Sequence, residues 1–207
     1  MPRGRFAGNG DERHPVEIVA HASYHGGMLA NLDAQQPLLK HFLAAIAYRT
    51  QKALRGAPDA FPKFRAGSNV RTPHELLWHM TGLIGYARTH FLGGVWQPEK
   101  LPTFDQEIHR FHEVLEDLGR LLEENRLREI SAEQLLQGPL ADTMTHVGQL
   151  AMLRRLASSP VAPENFVRAK ISAANLGPDQ PEPAAPDPGW NPELPPLAPG
   201  KDVPPGW

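Results

Sequence analysis

Ten histidines in 207 residues, with no cysteine, concentrate the chemistry open to this chain on imidazole and carboxylate groups. Without thiols it has no disulfide, zinc ribbon, iron–sulfur cluster or thiol nucleophile of its own, so His, Asp, Glu or backbone groups must hold any metal. His21 and His25 stand at i, i+4, where two rings can chelate one ion on a helical face, although Gly26-Gly27 follows at once. His109 and His112 stand at i, i+3, but among charges and off the apolar seam, which reads as solvated surface. His14, His41 and His90 are single, and a cap or surface role suffices for His74. His79 lies between Trp78 and Met80, at the edge of an apolar face formed with Leu76 and Leu83. His146 belongs to a stripe through Leu150, Leu153 and Ala157, and Asp142 stands one turn before it on the same side. An Asp and a His so spaced can share one divalent ion, or the carboxylate can orient the ring. The same pair serves as readily for a buried histidine that a carboxylate holds for packing.

Four segments with helical periodicity must position these groups. The first runs from about Pro37 to Leu54, with Leu38, Leu39, Phe42, Leu43 and Ile46 on one side, and ends at Gly56 and Pro58. A shorter amphipathic stretch from Glu17 to Leu32 precedes it. The second spans 72–92, opening on Thr72-Pro73, a capping residue followed by proline at the first helical position, and closing at Gly93-Gly94. The third spans 103–126. Its residues Phe104, Ile108, Phe111, Leu115, Leu118 and Leu122 follow steps of four and three, while Glu107, Arg110, Glu113, Glu116 and Asp117 fill the solvent side. The fourth spans 132–158 and is interrupted by Gly138-Pro139. No run alternates with period two, so the expected fold is all-α: an antiparallel four-helix bundle.

The formal charge of −2 and the lack of a basic stripe argue against a nucleic-acid partner. No stretch reaches the ~18–20 consecutive apolar residues of a membrane-spanning helix. The opening MPRGRFAGNGDERHP has no apolar core of a secretory signal, and with the missing cysteines it fits a cytoplasmic protein. Half of the 22 prolines fall in residues 178–207, which therefore form neither helix nor central strand. Trp190, Leu194, Leu197, Val203 and Trp207 are too apolar for a purely solvated tail, so this stretch reads as an extended arm docked on its own domain or across a homodimer, with Trp190 and Trp207 as anchors. The expected organisation is an N-terminal extension over 1–34, a bundle over 35–175 and a proline-rich arm over 176–207.

The stretch ADTMTHVGQLAMLRRLASSPVAPENFVRAKI, together with LLWHMTGLIGY, resembles the DinB-like (YfiT-type) family over roughly residues 35–175. The resemblance implies a four-helix bundle with a divalent metal (zinc, nickel, iron or manganese) at one end. Its ligands would be one histidine on the second helix, matching His79, and a His-x-x-x-His pair on the fourth, whose second member matches His146. Asp142 stands where the family has the first histidine of that pair. A carboxylate is an acceptable ligand and lowers the charge of the site by one; alternatively the metal has been lost and the bundle survives as a scaffold. Gln149 is a candidate to support the ligands from behind. The resemblance also implies a metal-dependent transferase or hydrolase acting on a small-molecule substrate, with a low-molecular-weight thiol as one cosubstrate class. The competing expectation is a helical binding or interaction module.

Overall fold

The computed structural model describes residues 24–124 and 127–191, the first ten of these as backbone only. Residues 1–33, with the His21–His25 pair, and residues 192–207, with Leu194, Leu197, Val203 and Trp207, fall outside the described side chains. The chain is all-helical: α1 spans Tyr24–Leu54, α2 Pro73–Leu92, α3 Phe104–Glu123, α4 Ala132–Leu135 and α5 Ala141–Leu156, with a π turn over Leu136–Leu140 joining the last two into one kinked helix. No strand occurs among the described residues; an isolated bridge pairs Glu164 with Pro186. None of these helices is long and apolar enough to cross a membrane.

The helices share one core. Leu43 and Ile46 of α1, Leu77, Met80 and Ile84 of α2, Phe111 and Leu115 of α3, and Leu150 and Leu153 of α5 are all buried in it. Helix α2 starts where Thr72 accepts from the Glu75 N–H while the Glu75 carboxylate accepts from the Thr72 N–H, with Pro73 at the first position. It stops at Gly93 and Gly94, whose φ angles of +78° and +82° lie in the left-handed region that favours glycine. Helix α1 departs from expectation, because Pro37 does not begin it but lies inside it. Proline suits a first turn because it has no N–H to give; within a helix that lack costs a single backbone bond, and here the helix continues through it. Helix α3 ends at Glu123, short of residue 126.

Two α3 side chains assigned to solvent are buried, Glu107 between α2 and the 93–103 connection and His112 beneath the chain near Leu176. Glu107 is fully buried: it accepts from the Thr81 hydroxyl (2.9 Å), the Leu101 N–H (3.2 Å) and the Arg110 guanidinium (2.6 Å). The 93–103 connection thus closes over a charge that is paired and hydrogen-bonded. His112 is buried as well, and its Nδ1 donates to the Leu176 carbonyl at 2.8 Å. His109, by contrast, is exposed and faces Glu113.

The chain beyond α5 is extended and fastened to α1. The Tyr48 hydroxyl donates to Glu164 at 2.8 Å, Lys52 donates to the Ala162 carbonyl, and Arg55 donates to the Gln180 carbonyl (2.7 Å) and pairs with Glu182 (3.0 Å). Backbone bonds Asn165 to Ala185 and Asp187 to Pro163 hold the segment's two limbs together. Trp190, near the end of the described residues, is half-buried.

Burial pushes the His112 imidazole below the ordinary histidine range; its bond to Leu176 and the charge of Asp179 oppose this, while His109 adds to it. The unfolded chain then takes up this proton at a higher pH than the folded one, so stability present above about pH 6.5 is lost as pH falls toward the depressed folded value. Acidification from about pH 7.5 to about pH 5 should therefore lower the melting temperature of the wild type more than that of His112→Asn, whose amide can still donate to Leu176. Equal slopes would show that His112 is not held neutral by the fold.

Candidate metal centre

Two helices deliver the three candidate ligands. His79 lies two turns into α2, behind the firm start at Thr72. Asp142 and His146 lie in the first two turns of α5, immediately after the kink at Gly138, whose ψ of −108° is non-helical. Pro139 gives no N–H there, and the Thr143 hydroxyl donates to the Pro139 carbonyl at 2.7 Å. The kink therefore sets the direction in which α5 departs, and with it the direction of both side chains.

One donor atom from each of His79, Asp142 and His146 lies within 4.8 Å of the other two. The imidazoles of His79 and His146 meet edge to face, with ring centroids 4.8 Å apart. His146 Nε2 is 3.4 Å from Asp142 Oδ1, while its Nδ1 is 2.9 Å from Gln149 Oε1. In the tautomer whose Nδ1 donates to the Gln149 oxygen, Nε2 turns its lone pair towards Asp142 and His79. Burial holds the His79 pKa below the usual histidine range, with Arg71 and His146 adding to the depression and Asp142 opposing it. That keeps the ring free of a proton near neutrality, as metal ligation requires.

The donor set suits a divalent ion. Ligands bound at about 2.0–2.1 Å to a tetrahedral ion stand about 3.4 Å apart, and can be at most about 4.2 Å apart in any geometry. The His146–Asp142 pair is already at the first spacing. A pair at the full 4.8 Å has to close by about 0.6 Å to share one ion. His79, Asp142 and His146 could thus hold a metal ion, and the three residues singled out in the sequence are brought together.

Two pockets flank this group. One, of about 360 Å³, is lined by Trp78, His79 and Gly82 of α2 and by Trp96, Gln97, Pro98 and Glu99 of the following connection. The Trp78 indole donates to the Pro98 carbonyl at 3.0 Å. The Trp96 ring lies flat against Gly85, where a Cβ would overlap it, and the Arg88 guanidinium lies 4.9 Å from the ring centroid. Alanine at 85 would gain about 1 kcal/mol of helix propensity. Displacing the indole costs about 1–3 kcal/mol, so Gly85→Ala is expected to lower the urea midpoint. An unchanged or higher midpoint would mean that Trp96 does not rest on α2. The other pocket, of about 710 Å³, lies between the 66–71 segment and α5 and includes Arg71 and Gln149 in its lining.

The reading of the sequence singled out Gln149 but missed Arg71. A signal was present: a cation directly before a helix N-terminus faces the positive end of the helix dipole, an unfavourable position for a purely structural residue. Comparison with protein-family models, with curated proteins and with solved structures returns no match.

Proposed function

We propose that this chain is a DinB-like antiparallel four-helix bundle that binds a divalent metal through His79, Asp142 and His146, and that it is a metal-dependent transferase or hydrolase acting on a small molecule. The observation that carries this reading is the convergence of three donors from α2 and α5 within 4.8 Å, with the outward nitrogen of His146 fixed by Gln149. When bound, a divalent metal lowers the pKa of a coordinated thiol or water, giving a nucleophile near neutral pH. The protein's own residues supply the rest. Gln149 holds the angle of His146, and Asp142 adds a carboxylate donor beside the two imidazoles. His79 is held unprotonated beside Arg71. A cysteine-free chain would borrow its thiol from a low-molecular-weight cosubstrate. The proposed arm over 176–207 would cover the bundle in cis or across a homodimer.

The alternative is a metal-free or structurally metallated bundle serving as an interaction module. It is favoured by the exposure of Asp142, which stands where the resembled family has a histidine. Metal analysis of protein purified without an affinity tag, followed by activity screening with a panel of thiols, separates the two. Stoichiometric metal with thiol-dependent turnover supports the enzyme; absence of metal moves the assignment to the module.

A further inference from the structure

The larger pocket beside the candidate metal group has a chemistry of its own. Its volume of about 710 Å³ falls in the range of small-molecule sites. One wall comes from the segment leading into α2, including Val70 and Arg71; the other comes from the last turns of α5, with Met152, Leu153 and Leu156. Val70, Met152 and Leu156 are 41%, 53% and 55% exposed, so three large apolar side chains that the core does not use converge on one cavity. Such a concentration marks a binding surface more than scattered surface leucines do.

Arg71 is the one charged residue of that lining, and no carboxylate lines the cavity. Among the described residues no hydrogen bond or ion pair is made by the Arg71 guanidinium, which leaves it available to a ligand in the cavity. Gln149, which bonds His146, lines the same cavity. The cavity therefore adjoins the metal group, and its apolar wall runs along the last turns of α5.

These features narrow the ligand. A wholly apolar molecule would cover the guanidinium and leave it unpaired, at a cost in desolvation. A cation would be repelled by it. A polyanion would find a single positive side chain over an apolar floor. A guanidinium matches one carboxylate through two parallel hydrogen bonds. We propose that this pocket binds a small amphiphilic carboxylate, with its acid group on Arg71 and its apolar body against Val70, Met152 and Leu156. This deepens the enzymatic reading by naming the substrate class, and it rests on that reading only in making His79, Asp142 and His146 the reacting end. The binding itself needs no metal.

The test is calorimetric titration of the full-length, zinc-free chain with 4-phenylbutyrate, 4-phenylbutanol and 4-phenylbutylamine, repeated with zinc added, while the Met152 methyl resonance is followed by NMR. The butyrate is expected to bind at least about tenfold more tightly than the alcohol or the amine and to shift the Met152 methyl, because a carboxylate pairs with the guanidinium through charge-assisted hydrogen bonds. Arg71→Gln, a change at an exposed position, should remove that preference while leaving the circular dichroism and melting temperature unchanged. Leu156→Asp should weaken all three ligands. Equal binding of butyrate and amine, butyrate binding indifferent to Arg71→Gln, or no saturation overturns the inference. So does a stable dimer that Leu156→Asp dissociates, since a second copy would then fill the surface. Arg71-dependent butyrate binding by a protein that never takes up metal keeps this inference and removes the enzymatic reading. Stoichiometric zinc without butyrate binding does the reverse.

Discussion

Replacing His146 with alanine is expected to reduce bound divalent metal from about one equivalent per chain to background, with zinc affinity falling by more than about 100-fold. The expectation follows from how that ring is held. Its Nδ1 is occupied by Gln149, so Nε2 is the donor, and it faces Asp142 at 3.4 Å and the His79 ring across the same small space. Removing the imidazole deletes one of three donors. Gln149→Leu leaves all three donors but frees the ring, and should cost about 10–100-fold. Asp142→His should retain the metal, since it exchanges one competent donor for another at the same helical position. Elemental analysis of untagged protein and competitive zinc titration measure all three, with circular dichroism to show that each variant is folded. Unaltered metal content in His146→Ala would sink the proposed ligand set. A loss of stability with no metal bound in either protein would mean that His146 serves packing alone.

Arg154→Met is expected to destabilise the protein by about 3 kcal/mol, a fall in melting temperature of about 6–12 °C for a chain of this size. Arg154 is 4% exposed and donates to the carbonyls of Ala53 (2.9 Å), Arg55 (3.0 Å), Gly56 (3.1 Å) and Ser159 (2.8 Å), and to the Ser159 hydroxyl. Three of those carbonyls lie at the end of α1, where helix geometry leaves acceptors without partners and where the dipole favours a cation. Methionine fills much of the space but satisfies none of them. Each orphaned buried group costs about 1–3 kcal/mol, reduced where water can reach the helix end. Arg154→Lys should recover only part of the loss, because an ammonium cannot span four acceptors arranged around a planar fork. Thermal and urea unfolding decide it, and a midpoint within about 2 °C of wild type would refute this role.

Much of the helical layout could be read from local chemistry. Thr72-Pro73 and Gly93-Gly94 bound α2 because capping and left-handed φ are properties of a few adjacent residues. The kink between α4 and α5 was legible at Gly138-Pro139 for the same reason. His79 and His146 stood out because each interrupts an apolar stripe, and the structure places them with Asp142. The errors lie where distant chain decides the environment. On a helical projection Glu107 and His112 stand on the two flanks of the α3 seam, about 60° and about 80° from its centre, where burial depends on what lies beside the helix: Thr81 of α2 and the 93–103 connection for Glu107, Leu176 for His112. Helical periodicity marks the centre of the buried face and says nothing of how far a neighbouring helix or a later loop extends over its flanks. Pro37 misled for a related reason, since a proline's preference for a first turn is a statistical preference and not a barrier to continuation.

The stretch that follows α5 fixes the order in which the molecule can be completed. Tyr48 waits for Glu164, 116 positions later, and Lys52 for Ala162, 110 positions later; His112 waits for Leu176, 64 positions on. As the chain leaves the ribosome from its N-terminus, the first three long helices emerge well before these partners exist. The nascent protein therefore passes through a stage with its helices present and one side still open to water and to other chains. This body closes only once Leu176 has been made, and a ribosome stalled before it holds an unfinished body rather than a shortened version of the finished one.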